Sequence, residues 1–170
     1  MKRIISLLLL VLILSFTLMS CGIDVPQPKV QEGRFNFSVT YEVGGVEKTI
    51  EGVYVCKFVK AYAGLTGHNR VWEGYIEGSD IEDVERYELL SNKDGIIYLD
   101  LALDPMYFMA DPFYDSFNDS EKPEAYAFIV YHDDIAEEMG YFDTDPEILE
   151  RYGVRVLSFE YDEPIENTYE

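Results

Sequence analysis

Hydrophobic positions along this chain follow two rhythms. Ile4 to Met19 is a single apolar run, interrupted by Ser6, Ser15 and Thr17. From Arg34 onward apolar and polar residues alternate: Phe35, Phe37, Val39, Tyr41 and Val43 all fall on one face of an extended chain, the mark of a half-buried strand. Gly44-Gly45 interrupts the alternation, and Val46 to Lys60 resumes it with Val, Ile, Tyr and Phe. Two such runs joined by Gly-Gly predict a hairpin. Gly52, inside the second run, predicts a bulge or a break into two strands.

Further along, Ala61 to Arg70 holds Gly64, Gly67, His68 and Asn69 and reads as a loop. Val71 to Glu77 is a third strand, and Gly78 to Glu85 an acidic turn. Arg86 to Leu90 and Ile96 to Leu101 form a second hairpin, with Asp94-Gly95 supplying the turn chemistry. Ala125 to Tyr131 and Val154 to Tyr161 complete the strands, the last with Val154, Val156, Leu157 and Phe159 turned inward.

Proline marks where the alternation stops. Asp104-Pro105 and Asp111-Pro112 each place a capping residue before a proline, the way short helices begin. Asp104 to Glu121 is therefore expected to be a long excursion with one or two helical turns, ended by Pro123. His132 to Thr144 is acidic and reads as irregular. Asp145-Pro146 opens the clearest helix, near 146–152, with Glu147 in its first turn, Arg151 late and Gly153 as its stop. Strands with hairpin-length connections and one short helix predict a mainly β (β-rich α+β) fold, an antiparallel sheet or sandwich. It would occupy 34–162 as one domain, followed by a loose acidic tail at 163–170.

The first apolar run acquires meaning from its flanks. Lys2 and Arg3 precede it and Leu18-Met19-Ser20-Cys21 follows, the layout of a cleaved export signal. Leu18-Met19-Ser20-Cys21 resembles the lipobox of bacterial lipoproteins: an aliphatic residue, a variable one, a small one, then cysteine. That resemblance covers residues 1–21. It implies that the Cys21 thiol receives a diacylglycerol, that residues 1–20 are removed, and that the chain stays lipid-anchored at a bacterial membrane, facing outside the cytoplasm. One acyl chain binds a bilayer marginally and two bind stably. Residues 21–33, with Pro26, Pro28, Gln27 and Gln31, then read as a flexible tether reaching about 35–40 Å when extended. As a whole the chain resembles the small acidic lipoproteins of bacteria, a likeness that transfers no active site. It is short for a solute-binding lipoprotein, which closes two lobes around a cleft.

Charge narrows the partners. Loss of residues 1–20 takes Lys2 and Arg3 with it, so 11 of the 13 basic residues face all 33 acidic ones and the net charge moves from −20 to −22. Such a chain repels nucleic acid and anionic lipid, so the acyl chains rather than the protein surface are expected to hold it to the membrane. Hydrophobic content of 48% excludes disorder as the reason for the charge. With Cys21 given to lipid, Cys56 remains alone in an apolar strand pattern and reads as a buried, inert thiol.

Candidate chemistry gathers in the excursion. Tyr107, Phe108, Phe113 and Tyr114, together with Trp72, are the residues that could stack on a ligand, and aromatics beside carboxylates suit sugar rings. Asp111, Asp115 and Asp119 offer hard oxygen ligands for Ca²⁺, although no D-x-[DN]-x-[DN]-G loop is present. The plainer alternative is a lid whose aromatics fill the core and whose acids cap helices. His132 with Asp133 and Asp134 has only His68 as a second histidine, too few nitrogen ligands for zinc. G-x-S-x-G, P-loop and H-E-x-x-H motifs are absent. The expected function is a non-enzymatic binding module for an unknown protein or glycan ligand, with no catalytic residue assigned. The alternative is a cell-surface hydrolase or glycan-binding protein acting on envelope or dietary polysaccharide.

Overall fold

The structure, a computed structural model, describes residues 25–64, 67–78, 86–112, 122–131 and 142–170, with backbone alone at 64, 67, 68 and 142. Among these residues the elements run in the order β1 (Glu32–Val43), β2 (Val46–Gly64), β3 (Gly67–Ile76), β4 (Arg86–Ser91), β5 (Gly95–Ala102), α1 (Pro105–Phe108), β6 (Glu124–Tyr131), β7 (Phe142–Asp143), α2 (Pro146–Arg151) and β8 (Val154–Tyr161). They make two four-stranded sheets, β3-β2-β1-β8 and β4-β5-β6-β7, antiparallel throughout. The β-rich, sandwich-like fold expected from the alternation is the one the chain forms.

Alternation decides which face of each sheet is dry. Phe35, Phe37, Val39 and Tyr41 of β1 are all buried, and the intervening residues are not. Register brings Tyr54 of β2 opposite Phe35, and Phe159 of β8 opposite Val39. In the second sheet Ile97, Leu99 and Leu101 of β5 lie opposite Ile129, Ala127 and Ala125 of β6. The two inner faces meet in a core that joins Phe35, Tyr54, Leu99, Leu101 and Phe108. Each large side chain so buried contributes about 1.5–3 kcal/mol. Cys56 lies fully buried on the same inner face.

Glycine on an inner face supplies room for a ring. A Cβ at Gly52 would lie 2.7 Å from the tip of the Phe37 ring directly opposite it. A Cβ at Gly74 would lie 1.8 Å from the Tyr54 hydroxyl, which donates to the Leu103 carbonyl. Gly52 therefore neither bulges nor divides β2, which is continuous for 19 residues. The irregularity comes later, where Val59 is the extra residue between Phe58 and Lys60.

Three other expectations are corrected by strand pairing and turn geometry. The segment read as a loop at 61–70 continues the β2–β3 hairpin, Ala61 pairing with Arg70 and Gly64 with Gly67. Leu157, expected inward, is the extra residue of β8 where its register with β1 shifts, and stands 45% exposed. The turn between β4 and β5 is closed by Asn92, whose side-chain oxygen accepts from the backbone of Asp94 and Gly95, while Gly95 itself sits against Val130 in the sheet.

The ends of the domain are tied to each other. Gln27 and Glu170 exchange both backbone hydrogen bonds, and Lys29 donates to Thr168. The Asn167 side chain bonds both backbone groups of Val30. Val25 is buried, and Ile165 and Tyr169 pack on the core. Residues 25–31 are thus not a tether, nor 163–170 a loose tail. The helix expected near 146–152 is α2, capped by Asp145, whose carboxylate accepts from the Glu147 amide at 2.9 Å.

Gly74→Ala should force the Tyr54 ring out of its seat and cost about 1–3 kcal/mol, as overpacking does. Urea unfolding monitored by Trp72 fluorescence measures it, and an unchanged midpoint would show that Tyr54 has somewhere else to go.

Candidate functional site

The excursion that was expected to meet a ligand begins by plugging one end of the sandwich. Asp104 caps α1, its carboxylate accepting from Met106 N at 2.7 Å. Phe108 and Met109 are fully buried. The Phe108 ring lies 4.7 Å from Phe35, 5.5 Å from Tyr54 and 5.7 Å from Tyr161. The helix ends with Ala110 at φ 48° and the Asp111 amide donating back to Met106 at 2.9 Å. This is a Schellman close with alanine where glycine is usual. The left-handed conformation costs a non-glycine residue roughly 1–2 kcal/mol. Its result is that Asp111 points inward.

There Asp111 meets a prepared site. Arg70 Nη1 donates to Oδ1 at 3.1 Å and Trp72 Nε1 to Oδ2 at 2.8 Å. The Arg70 and Asp111 side chains are 3% and 0% exposed. Arg70 Nε donates to the Pro26 carbonyl at 3.0 Å, and its guanidinium lies 4.1 Å from the centre of the Tyr169 ring. The Tyr169 hydroxyl donates to the Met109 carbonyl at 3.0 Å. Burial, reinforced by the Asp111 charge and opposed by Arg70, pushes the Tyr169 phenol above its ordinary range.

These contacts assign the expected site residues. Trp72 and Phe108, expected to stack on a ligand, belong to the core, and Tyr107 is half-buried with its ring 5.4 Å from Phe108. Asp111, expected as a Ca²⁺ ligand or helix cap, gives both oxygens to Arg70 and Trp72, and the guanidinium repels any cation approaching it. Among the described residues no three His, Cys, Asp or Glu side chains converge as a metal site. Cys21, Phe113, Tyr114, Asp115, Asp119 and His132 lie outside the described residues.

Among the described residues an open region lies elsewhere. β8 ends the first sheet, and β7 covers β6 only at Ile129 and Val130. The edges of β6 and β8 therefore face each other across a gap, antiparallel, with no further backbone pairing among the described residues. One part of the gap, about 320 Å³, is lined by Ala125, Ala127, Leu149, Val154 and Val156, with Pro146 of α2 at its side. A second part, about 480 Å³, continues past Ala125 and Val156 to Pro123, Leu157, Phe159 and Tyr161. The result is one trough with an apolar floor. Exposed Tyr126 and Leu157 stand at its sides, and charges of both signs, Lys122, Glu124, Glu150 and Arg155, at its rim. Nothing in the local sequence marks it, because it exists only once β8 has paired with β1.

Compared with known protein families, with curated proteins and with solved structures, the chain matches none.

Arg70→Met should destabilise the domain by about 3–5 kcal/mol, since it strands a buried carboxylate. Arg70→Met with Asp111→Asn should recover part of that in denaturant unfolding. Alkaline stability tests Tyr169. Its phenol is held protonated in the fold, so its contribution is intact below about pH 10, where an unfolded tyrosine titrates, and is lost as pH rises further. Tyr169→Phe should flatten that decline without abolishing it, because Tyr126 and Tyr152 are shifted the same way by burial.

Proposed function

We propose that this chain is a binding module, lipid-anchored through Cys21 and facing outside the cytoplasm at a bacterial membrane, whose trough between β6 and β8 receives an extended segment of a partner polypeptide. The observation that carries the reading is the facing pair of strand edges over an apolar floor. An unpaired edge offers a row of backbone donors and acceptors, which an added strand satisfies whatever its sequence. Specificity comes from where its alternate side chains land. Here one set would meet Ala125, Leu149 and Val156, and the other the rim charges. The trough spans Pro123 to Ala127 on β6, about 15 Å, enough for four to six extended residues. The export signal and lipobox supply the location, and the acidic surface keeps the module soluble beside the bilayer.

The acylated full chain, tested against a library of extended peptides, should select binders that slow amide exchange at Glu124 to Ala127 and at Arg155 to Phe159. Leu157→Asp, an exposed change, should weaken them by about tenfold or more, equivalent to ~1.4 kcal/mol. Binders that protect other strands and ignore Leu157→Asp would sink the trough as the contact site. Turnover of a glycan or ester by the same preparation would move the protein to the hydrolase class.

A further inference from the structure

The far half of the β2–β3 hairpin is chemically unlike the rest of the chain. From Gly52 through Trp72 the sequence has no Asp or Glu, although the chain carries 33 of them, and it holds Lys57, Lys60 and Arg70. Lys57 stands between Glu32 and Glu73 in the register, so it belongs to the acidic body. Beyond it the outward side presents Val59 at 43% exposure and Tyr62 at 48%, with the Lys60 ammonium 5.8 Å from the Tyr62 ring. Arg70 faces the other way, into the core with Asp111. An aliphatic, an aromatic and a lysine on one exposed surface make the side-chain set that settles at a bilayer interface. The ring lies at the headgroup level and the lysine reaches the phosphates.

The path of the N-terminal segment says which way this surface points. Phe58 donates to the Gln31 carbonyl, and Arg70, paired with Ala61, donates to the Pro26 carbonyl. Read backward from Gln31 to Pro26, the segment therefore climbs along the hairpin toward its tip. Cys21 precedes the buried Val25 by four residues, a reach of at most about 14 Å. The tip, Gly64 paired with Gly67, lies three residues past Ala61, about 10 Å further along. The chain at Val25 and the hairpin tip are thus at the same end of the molecule, so a lipid on Cys21 would lie within reach of that end. Glu170 is at that end too, joined to Gln27, on the side where Tyr169 meets Arg70 and away from Tyr62.

The opposite end carries charges of both signs. Glu42, Glu47 and Lys48 lie beside the Gly44-Gly45 turn, Gly44 bonds Gly153, and Glu147, Glu150 and Arg151 of α2 and Arg155 lie next to it. It lies 18 residues from the tip along β2, roughly 60 Å, far beyond the screening length of about 8 Å at physiological salt. The charges at that end therefore do not decide what the tip experiences.

We infer that the β2–β3 hairpin is a second membrane contact, with Val59, Lys60 and Tyr62 seated at the interface of a bilayer containing anionic phospholipid. The inference rests on lipidation at Cys21, which supplies the attachment that the hairpin orients. It revises the expectation that acyl chains alone touch the membrane.

The test uses the acylated full chain carried on phosphatidylcholine vesicles, with and without phosphatidylglycerol, containing brominated acyl chains that quench tryptophan. Tyr62→Trp places a probe at the hairpin, and Val46→Trp, at a position 57% exposed beside the far turn, is the comparison. Trp72 contributes the same background to both. Tyr62→Trp should lose several-fold more emission than Val46→Trp, and more when phosphatidylglycerol is present. Adding Lys60→Glu should remove the phosphatidylglycerol dependence. Equal quenching of the two probes on vesicle-borne, acylated chain would overturn the inference and leave the anchor intact. A chain whose mass lacks the diacylglyceryl group, and which does not float with vesicles, would overturn the anchor and the inference together.

Discussion

One desolvated ion pair fixes how the ends of this chain are arranged. Asp111 and Arg70 are both nearly inaccessible, and neither charge is tolerable there without the other. Meeting that condition brings together the lead-in at Pro26, β3 through Arg70 and Trp72, the close of α1, and Tyr169 near the terminus. A buried pair of this kind contributes little net stability over a well-packed apolar substitute. Its effect is on alternatives, since any compact arrangement that separates the segments leaves a buried charge uncompensated. The left-handed Ala110 fits this account: the backbone accepts strain at one residue so that the next can point inward.

The same constraint explains what was and was not legible in the sequence. Strand identity and the buried face of β1 follow from alternation, and α2 from its cap and proline, because these signals are local. Gly52 shows the limit. Its presence is visible in the sequence, but its purpose is set by Phe37 across the hairpin, so a local rule reads a seat for a ring as a break. Leu157 fails likewise, because a register shift against β1 turns the inward–outward count over midway along β8. The excursion misled for a related reason. Asp111-Pro112 looks like a helix start until Arg70, 41 residues earlier, claims the carboxylate. Polar residues that answer to distant partners carry no mark of it in their own neighbourhood.

The trough was invisible for a topological reason. Each of its walls is an ordinary strand, and what makes them a candidate site is that both are sheet edges at one corner of the sandwich. Natural sheets blunt such edges with bulges and charge. β8 does both, through the shift at Leu157 and through Arg155, which pairs with Glu42. The floor behind the edges is nevertheless apolar and open. Blunted edges over an apolar floor resist indiscriminate strand pairing while still admitting a segment whose side chains fit, which is what a selective binder requires.

Anchoring and trough also fit one another in space. A flexible tether would let the domain tumble against the bilayer, bringing any face of it to the lipid. With residues 25–31 bonded to the hairpin and the terminus, a domain attached through Cys21 as proposed would instead take an orientation from its attachment. Tyr161, at the near end of the trough, pairs with Phe37, which pairs with Gly52, 12 residues of β2 short of the Gly64 tip. On the proposed reading the trough therefore begins about 40 Å from the lipid-facing tip along the strand and runs further away from it. The long β2 acts as a rigid spacer, and its length rather than a disordered linker sets the height at which a partner is met. A partner reaching the trough would then meet the charged far end of the domain, where Arg155 pairs with Glu42 and Glu150, before it met the membrane.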